Sequence, residues 1–252
     1  MSEVNFDFTG KNFLVVGASS GMGRQTALEL AAANAHVLAV ARNEERLKKL
    51  CDKFPDLIEF AILDVTKATG EDWEKVLGEF VQRHGKISGE VYTAGTGVET
   101  PLKIFDESAA RNVMETGFWG AIKSLQTATR KKFANPGSSY VIFSSVAGHV
   151  GQGGGAVYAA TKAAVRVAAK SFAKDLAKNF HRINTISPGW VKTEMTDKAE
   201  VFHPAELESG HLLGFLNPDD VTGTVLFLLS DRAKKITGSD FIIDSGYTSS
   251  AF

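Results

Sequence analysis

The chain has a single cysteine, Cys51, among 252 residues, which excludes an internal disulfide. A lone thiol suits a reducing compartment, and a cytoplasmic location is expected. Neither charge is in surplus: 28 Lys and Arg stand against 29 Asp and Glu, a net charge of −1. Nothing global therefore attracts nucleic acid or an anionic membrane. No uninterrupted apolar run approaches the roughly 20 residues a bilayer span needs. The opening MSEVNFDFTG has neither a basic nor an apolar stretch, so no secretory signal is expected. No His, Cys or acid spacing resembles a metal site, and none is expected. Repeats and low-complexity segments are missing too. What remains is 44% hydrophobic and 23% charged, which fits one soluble domain, residues 1–252, with a large core.

The chemistry concentrates in FSSVAGHVGQGGGAVYAATKAAV. Tyr158 and Lys162 are i and i+4, so a helix places them on one face. Residues 156–178 read as that helix, rich in Ala and free of Pro and Gly. Ser145 follows the apolar run Tyr140–Phe143, which reads as a buried strand. A hydroxyl at a strand end thus meets a Tyr and a Lys on the next helix. Three such groups can polarise a carbonyl and hand it a proton.

Residues 11–16 (KNFLVV) read as a first strand, followed at once by GASSGMG and a helical pattern. Strand, glycine turn and helix form the setting of a dinucleotide site. Gly17 allows a tight turn, and Gly21 and Gly23 allow close approach of pyrophosphate and strand. Ser19, Ser20 and Met22 lie in the same turn, and the helix N-terminus offers amide N–H groups to phosphate. Residues 36–41 read as the second strand. Where an NAD-preferring enzyme usually carries an acid, this chain has Ala41 and then Arg42, so Arg42 reads as a binder of the 2′-phosphate of NADP. Further strands are expected at 57–63, 89–93, 182–187 and 240–244. Helices are expected at 70–84, 107–133 and 218–229. Strand-helix alternation throughout implies an α/β fold: one doubly wound domain with a parallel sheet covered on both faces.

Taken together, Gly17-x3-Gly21-x-Gly23, Asp64-Val65, Ala94-Gly95, Ser145…Tyr158-x3-Lys162, Pro188-Gly189-x-Val191-x-Thr193 and Asp244-x-Gly246 resemble the short-chain dehydrogenase/reductase family over nearly the whole chain. The resemblance is to members of the 3-oxoacyl-carrier-protein reductase type. It implies a seven-stranded Rossmann domain of order 3-2-1-4-5-6-7, and an oxidoreductase using NADP(H), with NAD(H) possible, on a small carbonyl or alcohol substrate. Tyr158 would be the general acid/base, Ser145 would bind the substrate oxygen, and Lys162 would tune Tyr158 and bind the nicotinamide ribose. Asp64 and Val65 would sit at the adenine, Ala94 and Gly95 beside the nicotinamide ribose. Pro188, Gly189, Val191 and Thr193 would hold the nicotinamide side. Residues 195–216 would form a mobile substrate lid, whose apolar side chains (Met195, Val201, Phe202, Leu207, Leu212, Leu213, Phe215) would either meet a partly hydrophobic substrate or simply pack; His203 and His211 lie there as well.

Three positions depart from the family pattern: Val16 and Thr93 replace its Thr and Asn, and Gly117 replaces its catalytic Asn. Glycine there keeps the main-chain carbonyl and tolerates a helix distortion. These departures leave a second reading, a catalytically quiet NADP-binding sensor or scaffold. A homotetramer or homodimer is expected, because Val157, Val165, Val167, Phe172 and Leu176 surround the 156–178 helix more completely than one domain face can cover. Arg130-Lys131-Lys132 would meet an acidic carrier protein or remain a solvated helix end.

Overall fold

Strands β1 (Asn12–Val16), β2 (His36–Ala41), β3 (Ile58–Ile62), β4 (Ile87–Tyr92), β5 (Ala134–Phe143), β6 (Arg182–Pro188) and β7 (Asp240–Ile243) form one parallel sheet. Its order is β3-β2-β1-β4-β5-β6-β7, as expected. The computed structural model describes residues 5–97, 100–196 and 204–250. Val201, Phe202 and His203 lie outside the described residues.

Alternate residues of each strand face opposite layers, which is why these strands are apolar on both sides. Phe13 and Val15 join a core with Ala27 and Leu30 of α1 (Gly21–Ala32), Leu47 and Leu50 of α2 (Glu44–Cys51), and Val225 of α9 (Pro218–Leu229). Leu14 and Val16 face the other core, with Trp73, Leu77 and Phe80 of α3 (Gly70–His84). Each such buried aliphatic or aromatic side chain contributes roughly 1.5–3 kcal/mol. Helix α3 starts with a capping box between Thr69 and Asp72.

The helix expected at 107–133 is instead α4 (Glu107–Met114), a π turn at Glu115–Trp119, and α5 (Gly120–Ala128). The Tyr92 hydroxyl donates to Thr116 O at 2.7 Å, inside the turn where the ladder shifts. Gly120 has no room for a Cβ, which would lie 2.4 Å from that hydroxyl. The helix ends early because residues 130–134 turn back on themselves, Phe133 N and Ala134 N donating to Arg130 O, and feed β5. In that region Arg130 and Lys132 both turn to Glu74.

The remaining helices are α6 (Ala147–Val150), α7 (Ala156–Leu176), α8 (Pro204–Gly210) and α10 (Tyr247–Ser250). Among the described residues no helix is long and apolar enough to cross a membrane, and no group of His, Cys, Asp and Glu could hold a metal ion.

Candidate active site

The first turn of α1 carries no acidic residue, and Ser20 at its N-cap makes no side-chain capping bond. A helix end of this kind is ready for an anion. It opens into a groove of about 570 Å³ at the C-terminal ends of the strands. Gly17, Ser19, Ser20, Gly21, Met22 and Gly23 form one wall; Arg42, Asp64, Val65, Ala94, Gly95 and Thr193 complete it. The glycines are required by contact as well as by backbone angle. Gly17 has φ +88°, and a Cβ there would lie 2.5 Å from Thr93 Oγ1; one on Gly23 would lie 2.4 Å from that same oxygen.

Thr93 also accounts for the Val16 departure. Its hydroxyl and its amide each donate to Val16 O at 2.8 Å. The ends of β1 and β4 are thus tied by a hydroxyl on β4's side, and no hydroxyl is needed at position 16.

At the far end of the groove stand Arg42, Asn43, Arg46 and Thr66. Asp64 accepts from Thr66 N (3.0 Å) and Thr66 Oγ1 (2.7 Å). Burial pushes its carboxyl up, but these bonds, with Arg42 and Lys67 nearby, outweigh that and hold it below the usual range. Arg46 was not anticipated from the sequence. It crosses to Glu194 at 2.5 Å, joining α2 to the segment after β6. Its only signal was its place one helical turn after Arg42, which many surface arginines share.

Pro188, Gly189 and Val191 do not line this groove. Pro188 closes β6, Gly189 N donates to Ile243 O at 2.9 Å, and Val191 is buried and bridged to Leu216.

Ser145, Tyr158 and Lys162 meet beyond the Gly95 end. Lys162 is buried; its Nζ donates to Phe143 O at 2.8 Å and lies 5.7 Å from the centre of the Tyr158 ring. A Cβ on Gly95 would be 3.5 Å from that Nζ. Ser145 hydrogen-bonds the Tyr158 hydroxyl. Burial pushes the Tyr158 phenol up, and the Ser145 bond pulls against it. Burial lowers Lys162 to about 8. Burial thus shifts both groups toward their neutral forms, yet at about 8 Lys162 still carries its charge near neutral pH.

Ser145 is held by its own turn. Val146 N donates to Pro188 O, and Arg166 reaches Gly148 O at 3.1 Å. His149 Nε2 lies 2.8 Å from Asp240 Oδ2 and 3.2 Å from Ser187 Oγ. One nitrogen serves both partners, so this trio is an anchor for α6 and not a nucleophile relay, which needs the two ring nitrogens for different partners. Gly117 is buried in the π turn, where a Cβ would lie 2.7 Å from Thr161 Cγ2.

The family model described as enoyl-(acyl carrier protein) reductase matches residues 17–248. The chain is a short-chain dehydrogenase/reductase. It is 32% identical over 240 residues to 3-oxoacyl-(acyl-carrier-protein) reductase of Staphylococcus aureus, covering 94% of this chain and 97% of that one. It is 31% identical over 252 residues to L-xylulose reductase of Caenorhabditis elegans, covering 97% and 98%. Among solved structures, a short-chain dehydrogenase/reductase of Mycobacterium ulcerans superposes with TM-score 0.86 at 28% identity, covering 97% and 91%. As a short-chain dehydrogenase/reductase the chain is an oxidoreductase of carbonyl and alcohol groups, working with a nicotinamide dinucleotide. The groove fits that group: an uncapped helix end for phosphate, glycines where side chains would intrude, and arginines at the far end.

Proposed function

We propose that this chain interconverts a ketone and a secondary alcohol with NADP(H), and that Tyr158 transfers the proton. The observation that carries the reading is the Ser145–Tyr158–Lys162 cluster at the Gly95 end of the groove. The glycine turn, Arg42 and Asp64 would hold a dinucleotide in the groove, and that group would supply the hydride in reduction and take it in oxidation. Ser145 donates to the substrate oxygen and stabilises the charge that develops there. Tyr158 gives its proton to that oxygen in reduction and removes it in oxidation.

Lys162 sets how readily Tyr158 does so. Bringing a tyrosine from about 10 to about 7 needs roughly 4 kcal/mol of differential interaction. A cation at about 4 Å supplies about 1 kcal/mol in water but about 4 at an effective dielectric near 20. The burial of Lys162 supports that shielding, and the same burial makes its own proton easier to lose. Arg42, with Arg46 beside it, supports NADP over NAD, since a guanidinium pairs well with a phosphate.

The test is NADPH oxidation against a panel holding a 3-oxoacyl thioester, a steroid-like ketone, a ketose and a small diketone. Multiple turnovers with at least one member are expected. No turnover with any of them, under conditions where NADPH binds, would overturn the reading.

A further inference from the structure

His211 sits just past α8, 3% exposed, in the stretch expected to cover substrate. Both ring nitrogens are engaged. Trp190 N–H donates to Nε2 at 2.9 Å, and Nδ1 lies 2.7 Å from Leu207 O. A carbonyl only accepts, so Nδ1 carries the hydrogen; a backbone N–H only donates, so Nε2 is bare. The contacts themselves assign the tautomer.

The ring is also keyed into its surroundings. It stacks on Tyr247 with centroids 4.6 Å apart and meets Phe215 edge-on at 5.3 Å. Gly189 has no space for a side chain, because a Cβ would lie 2.8 Å from His211 Nε2 and 2.9 Å from Asp244 Cα. Five residues on, Leu216 N donates to Trp190 O (3.0 Å) and Lys192 N to Leu216 O (2.8 Å). The segment after α8 is therefore held to the turn after β6 at two points, a backbone bridge and one imidazole.

We propose that His211 is a positioning residue that docks the 207–213 segment onto the Pro188–Val191 turn, and that only its uncharged ring can do so. A proton on Nε2 would face the Trp190 N–H across 2.9 Å, donor against donor, and the bond would be lost. The titratable groups facing the ring are Asp244, from the turn after β7, and the Tyr247 phenol of α10; Glu208 and Lys192 on the flanking segments carry exposed side chains. Burial pushes the Asp244 carboxyl up, but bonds from Thr248 and Gly246 hold it below its ordinary range, so a negative charge is present across the acid range where imidazoles take up a proton. A proton on the ring therefore undocks the segment at its His211 end while the Leu216 bridge holds. The consequence for substrate rests on the reading of 195–216 as the cover of the site; the docking does not.

The experiment is amide hydrogen exchange of residues 207–216 in the full chain with NADPH present, at pH 8.0 and 5.5, corrected for intrinsic exchange. Wild type, His211→Gln and His211→Phe are compared. Gln keeps an acceptor for Trp190 N–H and a donor for Leu207 O, and does not titrate. Wild type should exchange at least tenfold faster at pH 5.5 than at pH 8.0. His211→Gln should stay within threefold at both pH values, and His211→Phe should exchange fast at both. Equal wild-type protection at the two pH values, or an acid loss in His211→Gln matching wild type, would overturn the proposal. The measurement needs no substrate, so a chain inert on every carbonyl would count against the proposed reaction and leave the docking standing.

Discussion

Arg42 and Gly117 are the residues at which this chain's chemistry is most directly testable. Arg42 lines the groove end near Asp64, and a charged hydrogen bond to phosphate is worth roughly 1.5–3 kcal/mol. Arg42→Ala should therefore weaken NADPH by about 10- to 100-fold and leave NADH almost unchanged, measured by fluorescence titration. Equal loss for both cofactors would remove Arg42 from the 2′-phosphate. Gly117 is fixed by packing, since Thr161 Cγ2 fills the space its side chain would need. Gly117→Asn alone should cost about 1–3 kcal/mol of stability by overpacking. Adding Thr161→Ser removes that methyl and keeps the Thr161 Oγ1 bond to Val157 O, so it should recover most of the loss in thermal unfolding. A double variant no more stable than the single one would show that the clash is not the cause.

Helices and strands were legible wherever one pattern had no competitor. Residues 36–41 and 218–229 fold as expected because an apolar strand run and an Asn-Pro-Asp-Asp helix start have no alternative nearby. Residues 107–133 were misread as one helix because periodicity does not register a hydrogen bond arriving from another strand, and the Tyr92 hydroxyl on Thr116 O is such a bond. The catalytic-type residues were legible because Tyr158 and Lys162 are neighbours on one helix. What orients Ser145 was not: His149 and Asp240 are 91 residues apart, and no local rule joins them. Helix α7 also leaves apolar surface outside the domain, with Val167 57% exposed beside buried Val165 and Ala169. The chain should be a dimer or tetramer by light scattering at micromolar concentration, and Val167→Glu should shift it toward smaller species. A wild-type monomer would contradict this.

For the whole molecule, stability carries a pH signature from Glu90 at the centre of the sheet. It is 1% exposed, Ser124 Oγ donates to its Oε1 at 2.5 Å, and its Oε2 is buried without a hydrogen-bond partner. Burial raises it to about 8 from the model-compound 4.5, against the Ser124 bond. Between those values the folded chain holds a proton that the unfolded chain has released. Its contribution thus falls as pH rises from about 4.5 to about 8 and is flat above. The total is on the order of 5 kcal/mol, about 10–20 °C in Tm for a chain this size. Glu90→Gln should therefore gain on wild type progressively from pH 5 to about pH 8 in thermal unfolding, with no further gain above. A gap that does not change with pH would show that Glu90 does not hold its proton in the fold.

At that same scale the groove, the buried lysine and the Ser145–Tyr158 bond form one device, and its central claim is that Tyr158 moves the proton. The direct measurement is Tyr158→Phe, assayed for NADPH-dependent carbonyl turnover and, in parallel, for NADPH binding. The account predicts turnover lost and the NADPH Kd within a few-fold of wild type, because in the proposed reading the dinucleotide would rest on the glycine turn, the end of α1 and Arg42, which line the groove. Retention of more than about a tenth of wild-type turnover, some 1.4 kcal/mol or less in the barrier, would contradict it.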